Sequence, residues 1–159
     1  MSFPSPNHGE RRLGPPDMIL IHYTGMETCA AARERLCDPE AEVSAHYLID
    51  LDGTVEQLVD ERRRAWHAGV SEWEGESDVN SRSIGIELVN QGAGPNYHPF
   101  PEAQMATLEG LLAEISSRWT IDPRLVRGHS DVAPGRKIDP GPKFDWKRLE
   151  RAGLAKRTM

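Results

Sequence analysis

Three side chains able to bind a metal stand where their neighbours restrict them. His22 closes the apolar run Met18 to Tyr23 (MILIHY). His129 lies in Arg127-Gly128-His129-Ser130-Asp131, just past a short apolar stretch. Asp139 follows in Lys137-Ile138-Asp139-Pro140-Gly141-Pro142, where proline and glycine limit the loop. Two imidazoles and one carboxylate make three ligands for zinc and leave a fourth position for water. Such an open site generates hydroxide at neutral pH and polarises a carbonyl. Spacing alone does not single out this triad from 6 histidines and 25 acidic residues, and no HExxH is present. Each residue also has an ordinary reading: His22 hydrogen-bonded at a strand end, His129 in a turn, Asp139 capping its own loop.

The elements that must position these residues can be read from the pattern. Met18 to Tyr23 reads as a central strand. Thr28 is an N-cap for a short helix reaching Cys37, stopped by Pro39. Ala45 to Leu51 and Thr54 to Val59 flank Asp52-Gly53, the signal of an antiparallel hairpin with a two-residue turn. Ser83 to Asn90 alternates, with Ile84, Ile86 and Leu88 on one face and Gly85, Glu87 and Val89 on the other. In Pro101 to Trp119, Met105, Leu108, Leu111, Leu112, Ile115 and Trp119 recur at helical spacing. A short strand at Leu125 to Arg127 and a helix at Asp145 to Ala152 complete the series. The fold class is therefore α/β: a single domain with a mixed central β-sheet, one antiparallel hairpin and flanking α-helices. Residues 1–16 read as a proline-rich lead-in and 17–155 as the domain.

Composition narrows the classes further. With 159 residues, 38% hydrophobic and 28% charged, the chain can bury one core. A net charge of -6 gives no general attraction to phosphate backbones, so nucleic acid is not an expected partner. No apolar run approaches the ~20 residues of a membrane helix, and the N-terminus lacks the apolar stretch of a secretory signal. The cytoplasm is the expected address, and a monomer the expected state. Cys29 and Cys37 fall on one short helix about 12 Å apart along its axis, beyond the ~7 Å of a disulfide. Buried or half-buried free thiols are expected, in keeping with a reducing compartment. Arg62-Arg63-Arg64 and Lys156-Arg157 read as solvated surface.

Six motifs in order carry a resemblance over Met18 to Trp146: IHYT at Ile21 to Thr24, SAHYLID at Ser44 to Asp50, DGTVEQLV at Asp52 to Val59, AWHAG at Ala65 to Gly69, SIGIELVN at Ser83 to Asn90, and GHSDVAPGRKIDPGPKFDW at Gly128 to Trp146. The chain resembles the type 2 family of N-acetylmuramoyl-L-alanine amidases, whose relatives include phage lysozyme-like amidases and peptidoglycan recognition proteins. The resemblance implies Zn2+ on His22, His129 and Asp139, with Glu87 and Lys137 as the catalytic pair. It implies that zinc acidifies the attacking water and that Glu87 takes its proton and passes it to the leaving amine of L-alanine. Lys137 would join the metal in stabilising the oxyanion.

The same resemblance implies a muropeptide or peptidoglycan substrate, cut between the lactyl group of N-acetylmuramic acid (here the 1,6-anhydro form) and L-alanine, in cell wall recycling. Two other readings remain: a wall-directed amidase or endolysin acting on polymeric murein, and a module that binds muropeptides without cutting them. The second would lack a metal ligand or the catalytic pair, whereas all five positions are filled here. His67 falls on a segment resembling the substrate-lining one, where it would meet ligand or else stack on Trp66. His46 is expected in a core or supporting hydrogen bond, with Tyr47 on the opposite face of its strand. His8 and His98 sit in proline-containing loops away from the site. Trp73 and Asn80 lie in a Gly- and acid-rich loop, Ser71 to Ser81, expected to be mobile.

Overall fold

The computed structural model describes residues 2–157. In chain order its strands are β1 (His8–Glu10), β2 (Met18–Tyr23), β3 (Tyr47–Ile49), β4 (Val55–Gln57), β5 (Arg63–Ala65), β6 (Ser83–Leu88) and β7 (Val126–Gly128). Its helices are α1 (Cys29–Leu36), α2 (Val79–Arg82), α3 (Glu102–Trp119), α4 (His129–Val132) and α5 (Trp146–Arg151). The main sheet runs β4-β3-β6-β2-β7, with β4 antiparallel to β3 and every other pairing parallel. A separate antiparallel pair joins β1 to β5. The mixed α/β architecture matches the sequence pattern.

β2 is apolar almost throughout because helices and loops cover both faces of the sheet. On one face Ile19, Ile21, Ile84, Ile86 and Leu88 pack against Met105, Leu108, Leu112 and Ile115 of α3. On the other, Leu48 and Val89 meet Cys29, Ala32 and Leu36 of α1, while Met18 and Leu20 meet Ala68, Val79 and Val132. Alternation along the strands places His22 and Glu87 on this second face. α3 is tied to the sheet by polar bonds as well. The buried Gln104 Nε2 donates to the carbonyls of Ile49 (3.0 Å) and Val89 (3.1 Å), and the Trp119 Nε1–H donates to Glu61 at 2.7 Å.

Four expectations are corrected. The hairpin loop has three residues, not two: Asp50 N donates to Thr54 O at 2.8 Å, leaving Leu51-Asp52-Gly53 outside the ladder with Gly53 at φ 89°. Three-residue hairpins require that left-handed position. The tip also docks on α3, where a Cβ on Gly53 would lie 2.7 Å from the Ala103 carbonyl. Of the proline-rich lead-in expected over 1–16, the described residues 2–16 are tied to the rest of the fold. Phe3 and Ser5 donate backbone bonds to Gln57 and Leu58, β1 pairs with β5, and Arg11 donates to the carbonyls of Glu61, Ser81 and Ser83. Such side-chain-to-backbone ties have no periodicity to betray them.

The segment expected to be an irregular loop from Ser71 to Ser81 ends in α2, capped by Asp78, whose carboxylate accepts from Ser81 N at 3.2 Å. Of the arginine run only Arg62 is solvated. Arg64 pairs with Asp78 at 2.9 Å, and Arg63 donates to Nδ1 of His8, which lies in a strand. Arg157 likewise lies 4.0 Å over the Trp146 ring and pairs with Asp131. Cys29 and Cys37 are free thiols, and burial together with Glu56 pushes Cys29 up to about 12.

His46 is fully buried: its Nδ1 accepts from Gly85 N at 3.0 Å, so its Nε2–H is the one that meets the Arg63 carbonyl at 2.8 Å. Burial, reinforced by the Arg11 charge, lowers its pKa to about 3. The folded protein therefore refuses a proton that the unfolded chain accepts below about pH 6.5. Stability should be intact above that pH and fall by about 1.4 kcal/mol per unit for this group as the pH drops towards 3. In denaturant melts between pH 7 and 5, His46→Asn is expected to reduce the slope of stability against pH by one proton; an unchanged slope would mean that His46 is charged in the fold.

Candidate metal centre and cavity

The register of the sheet assembles the site. His22 and Glu87 are direct partners across the parallel pair β2–β6, and Ile21 is opposite Gly128 on β7. His129, one residue past β7 and the first of α4, thus arrives beside His22 at the C-terminal ends of the parallel strands. This is where open α/β sheets place their sites. Asp139 returns from the following loop, whose backbone carbonyl accepts from Ser130 N at 3.0 Å.

His22 Nδ1, His129 Nδ1 and Asp139 Oδ2 converge, separated by 3.0, 3.1 and 3.2 Å. All three residues are buried, and they form a group able to hold a metal ion. Zinc bonds of about 2.0–2.2 Å in tetrahedral array put ligand atoms roughly 3.3 Å apart, so the donor set fits that ion in type and spacing. The protonation states fit as well, since metal ligands must be bare. Burial foremost, then the neighbouring His129, lowers His22 to about 4. For Asp139 burial pulls upward, but the His129 and His22 side chains outweigh it and hold the carboxylate below its usual range.

The three donors open on a cavity of about 300 Å³ whose lining includes Tyr23, Arg35, Trp66, Glu87 and Lys137. Glu87 Oε2 is buried with no hydrogen-bond partner. Burial, and next the charge of Asp139, push this carboxyl well above the ordinary carboxylate range, with Lys137 opposing. Lys137 is exposed at the cavity and makes no salt bridge among the described residues.

His67 lies at the cavity with its ring engaged by the scaffold. It borders the cavity, yet its ring nitrogens are occupied: Nδ1 lies 2.9 Å from His22 Nε2, and Nε2 lies 3.1 Å from Ser83 Oγ. Its ring meets those of His22 and His46 edge-on. Asn80 lies off the cavity, and its Oδ1 accepts from the backbone N–H groups of His67 and Ala68. The Arg127 guanidinium stacks over Trp73 at 4.5 Å, also away from the site. His98 is engaged with the Pro99 carbonyl and His8 with Arg63. Sequence reasoning missed Ser83, Gly85 and Arg136. Gly85 carried a signal: a glycine inside an apolar strand marks a close approach, and a Cβ there would lie 2.5 Å from the His67 ring. Arg136 donates to the Ala68 carbonyl at 2.6 Å and had no signal.

Comparison with known proteins matches residues 12–142 to the N-acetylmuramoyl-L-alanine amidase family. The chain is 40% identical to the N-acetylmuramoyl-L-alanine amidase AmiD of Escherichia coli, over 86% of this chain and 53% of that protein. It is 45% identical to the 1,6-anhydro-N-acetylmuramyl-L-alanine amidase AmpD of Haemophilus influenzae, over 67% of this chain and 56% of that one. It thus spans about half the length of the curated relatives it matches. The structure of AmiD from E. coli in complex with the substrate anhydro-N-acetylmuramic acid-L-Ala-D-gamma-Glu-L-Lys superposes with a TM-score of 0.81 at 36% identity. That match covers 94% of this chain and 67% of that one.

Metal analysis of the purified protein is expected to find about one divalent ion per chain, as a single three-ligand site requires. In His129→Ala and Asp139→Ala that ion should be lost on dialysis, and its retention would place the site elsewhere.

Proposed function

This chain belongs to the N-acetylmuramoyl-L-alanine amidase family, and from that membership we propose that it hydrolyses the amide between the lactyl group of N-acetylmuramic acid and L-alanine of a peptidoglycan stem peptide. We assign the 1,6-anhydro muropeptide as substrate and recycling of wall fragments as the setting. The observation that carries the reading is the convergence of His22, His129 and Asp139 on one point beside an unpartnered Glu87 carboxyl. The names of the AmpD relatives and the AmiD substrate complex support the anhydro sugar. Free cysteines support a reducing compartment, hence the cytoplasm. Among the described residues no helix is long and apolar enough to cross a membrane. A monomer is supported by the short list of large apolar side chains exposed among the described residues: Leu13, Leu51, Val70 and Ile138.

The chemistry follows from the placement of groups. Zinc, when bound, supplies a Lewis acid for the scissile carbonyl and acidifies water at neutral pH. His22, His129 and Asp139 hold it. Glu87 removes the proton from the attacking water and delivers it to the departing L-alanine nitrogen. Lys137 brings a positive charge to the oxygen that becomes negative as water adds.

Three outcomes test this reading. Glu87→Gln is expected to retain the metal while turnover of anhydro-muropeptide falls by about 10²–10⁴-fold; loss of metal would make Glu87 a ligand or a structural support. Lys137→Ala should slow turnover by about 100-fold or more, and an unchanged rate would remove it from the reaction. Soluble anhydro-muropeptide should be cut faster than insoluble sacculi, and the reverse order would replace recycling with wall hydrolysis.

A further inference from the structure

We infer that the dipeptide His67–Ala68, clamped by Asn80 and backed by Ser83, is the positioning element for both histidine ligands. The inference rests on the zinc assignment above and concerns residues to which that reading gives no role.

The direction of each hydrogen bond follows from its far end. The Ser83 hydroxyl lies 2.7 Å from the Val79 carbonyl, which can only accept, so the hydroxyl hydrogen points there. Ser83 Oγ then accepts from His67 Nε2–H at 3.1 Å. A neutral imidazole has a single N–H, so His67 Nδ1 is bare and accepts from His22 Nε2–H at 2.9 Å. His22 is left with its lone pair on Nδ1, the atom that faces His129 and Asp139. The next residue serves the other ligand: the Ala68 carbonyl accepts from His129 Nε2–H at 2.8 Å, which bares His129 Nδ1 in the same way.

The dipeptide cannot easily move. Asn80 Oδ1 accepts from His67 N at 3.0 Å and from Ala68 N at 2.9 Å. The His67 ring lies flush on Gly85, where any Cβ would intrude to 2.5 Å, and Ala68 and Ser83 are fully buried. Two adjacent residues thus set tautomer and ring orientation for two ligands that lie 107 residues apart in the chain. Partners of this kind commonly govern metal affinity.

The test is zinc affinity of the full chain, measured by competition with a chelator after metal removal, alongside thermal unfolding of the metal-free protein. His67→Leu should weaken zinc binding by about 10–100-fold. His67→Asn, which can offer Oδ1 close to where Nδ1 stands, should restore most of it, a recovery that a purely space-filling role would not give. Ser83→Ala, which removes only a hydroxyl, should weaken binding several-fold and decides the matter if the leucine variant does not fold. Wild-type affinity in Ser83→Ala and His67→Leu overturns the inference, as does a loss that asparagine leaves unrepaired. A wild-type protein with no zinc affinity would instead overturn the zinc assignment itself, and this inference with it.

Discussion

The parallel pairing of β2 with β6 is the constraint on which the site depends. It puts His22 directly opposite Glu87, and strand spacing then fixes their separation at the ~4.8 Å of neighbouring strands. A slip of either strand by one residue would turn its own polar side chain, His22 or Glu87, into the apolar cluster under α3 and carry Ile21 or Ile86 to the cavity. The register is therefore defended by the core: Ile19, Ile21, Ile84, Ile86 and Leu88 have to meet α3. The hydrophobic effect that holds the sheet together thus positions the polar groups on its reverse side. Function here is built on the back of the core, not at its edge.

That arrangement makes the reverse face unusual. His46, His67, Ser83, Gly85, His22 and Glu87 share it, and of the polar side chains among these every one but Glu87 has a hydrogen-bond partner. His46 bridges Gly85 N and the Arg63 carbonyl, and Ser83 ends on the Val79 carbonyl. Buried polar groups left unmatched are costly, so this network is closed wherever it serves the scaffold. Arg11 closes it from the side of the N-terminal segment by donating to the backbone carbonyls of Glu61, Asn80, Ser81 and Ser83. The segment that composition marks as a lead-in is in this sense part of the wall behind the site.

Legibility in the sequence followed periodicity. β2, β6 and α3 were readable because apolar residues recur at a strand or helix period over six or more positions. α2, with four residues, is too short for a period to show, and its cap Asp78 lies among other acids that carry no distinguishing pattern. The hairpin was readable from Asp52-Gly53, but its loop length was not, because the tip's contact with Ala103 enters only through the tertiary fold. The metal group shows the same limit. His22, His129 and Asp139 were plausible ligands individually, yet the residues alone allowed many other triads; six motifs in order were needed to choose among them. Convergence is a property of the register, and register is written in the core. His67 shows what local context leaves out: nothing in a Trp-His-Ala-Gly loop announces the bond to His22, which only their distance reveals.

Glu87 stands apart from this closed network. Among the buried side-chain atoms without a partner are Glu87 Oε2, Gln104 Oε1 and Trp73 Nε1. Gln104 has a structural reason to be buried, since its Nε2 ties two strand ends to α3. The Trp73 ring is held under the Arg127 guanidinium. Glu87 makes no comparable bond, and a neutral residue of similar shape would pack there without the cost of removing a carboxyl from water. Its burial, with Asp139 nearby, raises its proton affinity, which is of no use to the scaffold and is the kind of perturbation that clusters at functional sites. A cost borne at one position, against a face that elsewhere satisfies its polar atoms, is what sets Glu87 apart from the supporting residues around it.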